Sequence, residues 1–150
     1  MISVIAEFNI ADIEAYIAEE EREWYDSVVQ SMSKVGRKLV DKARAKTRED
    51  GGFGNITWNL RGSIGMCIVN DEGKIVETYF PPINKGAHGR QVGVEMAESL
   101  ALYAREITEI TMVFVAGESY ASFVQAKGKD VIKVVIGENI ASQMVKELGA

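Results

Sequence analysis

Apolar residues recur at helical spacing through the first third of this chain, and the length of that pattern limits how the rest can fold. The stripe consists of Ile13, Ile17, Trp24, Val28, Val35 and Leu39, separated by alternating steps of four and seven residues. Such steps keep side chains on one side of an α-helix, so they predict a helix from about residue 10 to residue 47. At about 1.5 Å per residue this helix would be about 55 Å long, more than the width of a compact domain of this size. We therefore expect either a break near Glu19–Arg22 or a projecting end that needs a partner.

Strand-forming residues and turn residues after this helix predict a small antiparallel sheet. Ser63–Asn70 and Lys74–Phe80 flank Asp71-Glu72-Gly73, a pattern typical of a β-hairpin. Pro81-Pro82 would end the second strand, because proline cannot donate a ladder hydrogen bond. Thr111–Val115 is short and β-branched and is predicted to be a third strand.

Two further helices are predicted, over Val92–Thr108 and Val131–Leu148. The first should bury one apolar face, formed by Met96, Leu100, Tyr103 and Ile107. We expect the whole chain, residues 1–150, to form a single α+β domain. Its long N-terminal helix and its small antiparallel sheet, made of the hairpin and the third strand, would be packed with the two further helices, all helices lying on one face.

Glycine-rich and polar segments predict two mobile loops, at residues 49–56 and 81–91. The second loop carries Lys85, His88 and Arg90. Both loops are candidates to become ordered when a partner docks.

The sequence carries no pattern of reactive residues. The single cysteine, Cys67, has no partner for an intrachain disulfide or a cysteine metal site. Neither a Walker phosphate loop nor a Gly-x-Ser-x-Gly nucleophile motif is present. We therefore predict no catalytic residue, no cofactor and no metal. His88 is the only histidine, so a small hydrolase would have to be built around it, and this stays open as a lesser alternative.

Neither the start of the chain nor any internal segment indicates a membrane destination. Met1–Glu7 lacks a basic flank, and no apolar run approaches the roughly 20 residues needed to span a bilayer. With a net charge of −5 the chain has no general attraction to nucleic acid or anionic lipid. A lone cysteine fits assembly in a reducing cytoplasm.

Seven basic residues cluster in the second half of the predicted N-terminal helix: Lys34, Arg37, Lys38, Lys42, Arg44, Lys46 and Arg48. Such a face could contact phosphates, which makes a cytoplasmic nucleic-acid-associated module the main alternative function, testable at Lys38 and Lys42. The cluster lacks interleaved aromatic residues, which weakens the case for single-strand binding. A solvated helix face explains the same residues.

The two halves of this helix carry opposite charge. Residues 7–26 hold eight acids and one base, a sum of −7, whereas residues 34–48 hold seven bases and one acid, a sum of +6. Opposite ends of this kind suit head-to-tail contact between identical subunits and could help to close a ring. Ordinary complementarity with the helix dipole, acids first and bases last, explains the arrangement equally well.

Two short motifs stand in order along the chain. The first is Thr57-Trp58-Asn59-Leu60-Arg61-Gly62-Ser63-Ile64, and the second is Val115-Ala116-Gly117 followed by Tyr120-Ala121-Ser122-Phe123-Val124-Gln125. Together they resemble the small head–tail joining, tail-completion and minor tail component (morphogenesis) proteins of long-tailed phages. That family's pattern is Thr-Gly-Asn-Leu-Arg-x-Ser-Ile leading into a strand, then Val-Gly and Tyr-Ala-x-Tyr-Val-Glu-x-Gly. Trp58 stands here at the family's glycine, and Gln125 at its glutamate.

The resemblance implies a structural protein of a phage or prophage virion, at the tail or the head–tail junction. Such a protein would assemble in the cytoplasm of the bacterial host, as a ring of its own copies that binds neighbouring tail or neck proteins. It would have no enzymatic activity and no cofactor. The candidate interaction residues are Asn59, Leu60, Arg61, Ser63, Tyr120, Phe123, Lys38 and Lys42.

The motif residues also have expected roles within the subunit. Leu60 and Ile64 should anchor the start of the sheet. Arg61 should clamp a loop by hydrogen bonds to carbonyls or to an acid, or else lie at the surface beside the strand. Tyr120, Phe123 and Val124 are expected to pack on the sheet rather than to bind a ligand.

Overall fold

Helices flank a three-stranded antiparallel sheet. The computed structural model describes residues 10–47, 49, 51–52, 54, 58–85, 87–104, 110–118, 121 and 140–148. The elements are α1 (Ile10–Ala45), α2 (Asn59–Gly62), β1 (Ile64–Val69), β2 (Ile75–Tyr79), α3 (Ala87–Ala104), β3 (Thr111–Ala116) and α4 (Ile140–Leu148). The predicted α+β fold, with its long N-terminal helix and small antiparallel sheet, is confirmed.

The strand order is β2-β1-β3, so the predicted hairpin and third strand are both present. Met66 pairs with Tyr79 in the hairpin, and Ile64 pairs with Ala116 on the other side of β1. The turn between β1 and β2 is held by Asn70, whose Oδ1 accepts hydrogen bonds from the backbone N–H of residues 72 and 74 at 3.0 and 2.9 Å. Gly73 has φ 77°, a value that favours glycine, so the sequence marks this turn clearly.

The central strand β1 is buried on both of its faces. Met66 and Ile68 pack with Met32 of α1, whereas Cys67 packs with Ala97 of α3. Helices α1 and α3 therefore lie on opposite faces of the sheet, and the prediction that all helices share one face was wrong. Both alternating sets of β1 side chains are apolar, as expected for a strand covered on both sides.

Helix α3 begins at Ala87, five residues before the predicted start. His88 and Arg90 consequently lie in the first turns of a helix, not in a loop. The buried face of α3 is formed by small residues four positions apart: Gly89, Gly93, Ala97 and Ala101. The predicted face was wrong for Met96 and Tyr103, which are exposed, while Leu100 is half-buried against the core.

Small residues are needed on α3 because the helix lies very close to the sheet and to α2. A β-carbon built at Gly93 would lie 2.5 Å from the carbonyl oxygen of Ser63, and one at Gly89 would lie 1.9 Å from that of Asn59. No larger side chain fits between these backbones without moving them. A Met or Tyr face could not have been accommodated here.

Several predicted segments lie partly outside the described residues. These are most of the loop at 49–56, the end of the second helix at 105–108 and the start of the C-terminal helix at 131–139. Helix α4 falls within the predicted C-terminal helix and packs against α1. An ion pair of 3.7 Å joins Lys34 of α1 to Glu147 of α4.

Candidate assembly surfaces

Trp58, directly before α2, holds a left-handed backbone conformation with φ 67° and ψ −1°. Among the described residues it is the only non-glycine residue with a positive φ. This conformation costs a residue with a β-carbon about 1–2 kcal/mol, whereas glycine adopts it readily. The backbone thus has, at this position, the geometry that favours the glycine found in the resembling family's pattern.

The two motifs pack together although fifty residues lie between them in the sequence. Leu60 and Ile64 of the first motif and Ala121 of the second form one buried cluster with Ala43 of α1. Leu60 and Ile64 therefore anchor the start of β1, as the sequence predicts. The contact also joins α1, α2 and the segment after β3 into one unit.

Ser63 joins the two motifs through hydrogen bonds. Its Oγ donates to the carbonyl of Leu60 at 2.7 Å and accepts from the backbone N–H of Glu118 at 3.3 Å. Its carbonyl accepts from the N–H of Gly117 at 3.2 Å. Ser63 is fully buried, so these bonds hold the chain that follows β3 against the start of β1.

Arg61 is buried beneath α1 and acts as the predicted clamp. Its Nη2 donates to the carbonyl of Lys46, 2.8 Å away, which ties α2 to the residue after the end of α1. Burial lowers the pKa of Arg61 below its ordinary value, yet a guanidinium titrates far above neutral pH and stays charged. The alternative placement of Arg61 at the surface is excluded.

Arg44 is a second buried arginine, so its predicted place on an exposed basic face was wrong. Its guanidinium donates to three carbonyls, those of Ile64 at 2.8 Å, Gly62 at 3.0 Å and Pro81 at 2.5 Å. Burial lowers the pKa of Arg44 to about 10, so the group is charged at neutral pH. Its spacing carried a signal, because Arg44 lies four residues after Val40, on the buried side of the helix.

The basic run therefore does not form one continuous face. Arg44 points inward, and Arg48 lies outside the described residues. Arg37 pairs with Glu77 of β2, with its Nε 2.7 Å from the carboxylate, and its guanidinium lies 4.8 Å from the ring centre of Tyr79. Lys38 and Lys42 are exposed on the outer side of α1.

The structure brings the first four candidate interaction residues together at one junction inside the subunit. Asn59 is half-buried and accepts a hydrogen bond from the N–H of Gly89 at 3.3 Å, while Leu60, Arg61 and Ser63 are buried. Tyr120 and Phe123 lie outside the described residues, as does Val124. Contact between any of these candidates and another protein stays a prediction.

A cleft of about 440 Å³ opens beside this junction. Its lining residues are Trp58, Pro82, Ile83, Asn84 and Lys85. Residues 82–85, on one side of the cleft, belong to the segment 81–91 that was predicted to be a loop. Lys85 lies in this loop, as predicted.

The first half of α1 extends beyond the sheet and its packed helices. Every described side chain from Ala11 to Ser27 is exposed, including Ile17 at 50% and Trp24 at 59%. The rings of Trp24 and Tyr25 contact each other edge to face, 5.4 Å apart. The helix is unbroken at Glu19–Arg22, so the projecting end is the correct one of the two predicted outcomes. We call residues 11–27 the overhang.

Reactive groups are sparse in the described part of the chain. Cys67 is fully buried, and burial raises the pKa of its thiol to about 11, which keeps it protonated and unreactive at neutral pH. His88 is exposed on the first turn of α3. Within the ranges that the structure describes, no cluster of three or more His, Cys, Asp or Glu side chains could bind a metal ion. None of the described helices has both the length and the apolarity to cross a membrane.

Comparison of the chain with protein-family models, with curated proteins and with solved structures gave no match in any of the three.

Proposed function

We propose that this chain is a structural protein of a phage or prophage virion, located at the tail or the head–tail junction. It would work by contacts with its own copies and with neighbouring tail or neck proteins, without catalysis. The observation that carries this proposal is the packing of the two resemblance motifs into one unit. Leu60 and Ile64 share a buried cluster with Ala121, and Ser63 bonds to the backbone of residues 117 and 118.

Two further features support the proposal. Trp58, at the family's glycine position, has the left-handed backbone that glycine favours. The overhang exposes aromatic and apolar side chains that a lone subunit leaves in water, and exposed apolar surface of this kind is typical of proteins that assemble. The first feature agrees with the glycine of the family's pattern, and the second suits an adhesive role.

The alternative function, nucleic-acid binding by the face from Lys34 to Arg48, has less support. Arg44 is committed to three carbonyls inside the subunit. Lys34 and Arg37 form ion pairs with Glu147 and Glu77. Fewer exposed bases remain for phosphates than the sequence suggests, and the net charge of −5 opposes approach to DNA.

The test is removal of the gene from the phage or prophage that carries it, followed by separation of the particles. We expect heads and tails that fail to join, or tails with an incomplete end, visible by electron microscopy. Mass spectrometry of particles from the unmodified phage should find the chain at a fixed ratio to the tail-tube protein. Supplying the intact gene from a plasmid should restore infectious particles.

A matched pair of variants makes this test specific. Arg61→Ala breaks the clamp on the carbonyl of Lys46, whereas Lys74→Ala removes a side chain at an exposed hairpin turn. The plasmid with the hairpin variant should complement the deletion, and the plasmid with Arg61→Ala should not. Infectious particles that form normally without the gene would refute the proposal, as would particles that never contain the chain.

A further inference from the structure

We propose that the overhang of one subunit binds the outer side of α1 on a second copy of this chain, in a head-to-tail contact. This inference deepens the proposed structural role and rests on it for its biological setting. It is carried by the apolar stripe of the overhang, by the opposite charges of the two surfaces and by the row of exposed lysines along α1.

The apolar stripe of α1 continues past the point where the subunit covers it. Val28 is half-buried and Val35 and Leu39 are buried against the sheet. Trp24 and Ile17 continue the same stripe in steps of four and seven residues, but they are exposed. The overhang thus presents a core-like apolar surface that the described part of its own subunit leaves exposed.

The charge of the overhang narrows the choice of partner. Its residues include seven acids and one arginine, a sum of −6. Two overhangs side by side would bring these carboxylates together, so a symmetric pairing of overhangs is disfavoured. A surface that binds the overhang should combine positive charge with some apolar area.

The chain itself offers such a surface. Lys38 and Lys42 are spaced four residues apart and are exposed along one side of α1, in line with Lys34, which pairs with Glu147 of the same subunit. Each lysine also contributes apolar area, because its four-carbon stem can pack against apolar side chains while the ammonium group stays in water. We call these lysines the acceptor surface.

The overhang and the acceptor surface lie on different parts of one subunit, so the contact is heterologous. Each subunit can bind one neighbour through its overhang and another through its acceptor surface. Contacts of this type close into rings when the rotation between neighbours permits it, and otherwise form open chains.

The experiment compares two surface variants of the purified chain by light scattering over a range of concentrations at low salt. The donor variant, which is altered in the overhang, carries Ile17→Gln and Trp24→Gln. Glutamine is a good helix former, so these exposed positions should stay helical. The acceptor variant carries Lys38→Glu and Lys42→Glu. We expect the wild-type chain to form particles several times the subunit mass of 16.5 kDa, and each variant to remain at that mass.

A control variant separates a specific surface from general stickiness. Leu102 and Tyr103 on α3 are as exposed as the overhang residues, at 57% and 74%, but lie elsewhere on the subunit. Leu102→Gln with Tyr103→Gln should assemble like the wild-type chain. Circular dichroism should show the same helix content for all variants. Added salt should weaken wild-type assembly at least about tenfold, because the charged groups are exposed.

Mixing the two variants tests the head-to-tail geometry directly. The donor variant retains its acceptor surface, and the acceptor variant retains its overhang. In an equimolar mixture, the overhang of the acceptor variant can bind the acceptor surface of the donor variant. The mixture should therefore form a heterodimer of twice 16.5 kDa and nothing larger, because no further contact is possible. A mixture that stays monomeric would contradict the heterologous contact.

Two other outcomes would overturn the inference. One is a wild-type chain that stays monomeric at every concentration, and the other is a pair of variants that assemble as well as the wild-type chain. Either result concerns the purified chain alone and leaves the particle test of the proposed function intact. A subunit found in virions but monomeric in solution would refute this inference while supporting the structural role.

Discussion

The guanidinium of Arg44 reaches across the start of the sheet and donates its Nε hydrogen to the carbonyl oxygen of Ile64, 2.8 Å away. The same group satisfies the carbonyls of Gly62 and Pro81. We expect Arg44→Lys to lower the free energy of unfolding by about 3 kcal/mol, because a single ammonium cannot serve three carbonyls and each buried group left unpaired costs about 1–3 kcal/mol. Urea denaturation at neutral pH measures this.

The control for Arg44 is Lys38→Met, which removes a positive charge from the exposed side of the same helix. Its effect on the free energy of unfolding should stay within about 0.5 kcal/mol. If the two variants unfolded at the same urea concentration, the bonds of Arg44 would contribute nothing to stability.

Cys67 should resist thiol reagents in the folded subunit. Its side chain is fully buried, with Sγ 3.8 Å from the carbonyl oxygen of Ala97, and burial raises its pKa to about 11. Labelling at pH 8 should be negligible in buffer and should reach one equivalent per chain in denaturant. Rapid labelling of the folded protein would show that β1 opens easily.

The same pKa shift predicts how stability depends on pH. A thiol whose pKa is raised from 9.0 in the unfolded chain to about 11 in the folded one stabilises the fold below pH 9, and this contribution is lost as the pH rises through 11. Between pH 8 and pH 10 the loss from Cys67 should be about 1.3 kcal/mol. Burial also raises the pKa of Tyr79, which adds a loss of the same sign at higher pH.

Cys67→Ala provides the comparison, since it removes the thiol and keeps a small side chain at the same position. Its stability at pH 8 will differ because of the altered packing, so the informative quantity is the slope. We expect the wild-type chain to lose about 1.3 kcal/mol more than the variant between pH 8 and pH 10. Parallel curves would contradict the shifted pKa.

The sequence predicts well those parts of the fold that local chemistry determines. The hairpin follows from the turn at Asp71-Glu72-Gly73, and the long helix α1 follows from the periodic stripe that ends at Leu39. The side of the sheet on which each helix lies was not predictable from alternation, because both faces of β1 are apolar. That choice depends on contacts between residues far apart in the chain.

Features of the candidate site were predicted correctly only where neighbouring residues in the sequence indicated them. The clamp by Arg61 was expected from its place before a strand, and its bond to the carbonyl of Lys46 agrees. Arg44 was missed because a charged residue in a basic run was assigned to the surface, although its spacing from Val40 placed it inside. The small face of α3 was missed because Gly89 was placed in a loop and the buried face was assigned to larger residues such as Met96, whereas Gly89 and Gly93 permit close packing.

Gly93 should be intolerant of alanine although it lies in a helix, where alanine is normally the better residue by about 1 kcal/mol. A β-carbon there would lie 2.5 Å from the carbonyl oxygen of Ser63 and 2.7 Å from the ring of Phe80. We expect Gly93→Ala to lower the free energy of unfolding by about 1–3 kcal/mol, as overpacking does. Thermal unfolding measures the change.

Gly36 of α1 is the matched control for Gly93. A β-carbon at Gly36 would meet only the ends of two flexible side chains, with Cε of Met66 at 3.0 Å and Sδ of Met112 at 3.4 Å, and no backbone atom closer than these. Gly36→Ala should therefore stay within about 1 kcal/mol of the wild-type chain, since the gain in helix propensity offsets the shift of Met66. Equal losses at both glycines would show that α3 can move away from the sheet.

Trp58 allows the strain of its backbone conformation to be measured separately from the loss of its side chain. Its φ of 67° penalises every residue with a β-carbon, and β-branched residues most of all. Replacing Trp58 by glycine or by valine removes the same half-buried ring, so the difference between the two variants reports on the backbone. We expect Trp58→Gly to be more stable than Trp58→Val by about 1–2 kcal/mol in urea denaturation. A valine variant as stable as the glycine variant would mean that the turn before α2 relaxes to a negative φ, and the left-handed conformation would then no longer support the relationship to the family that has glycine here.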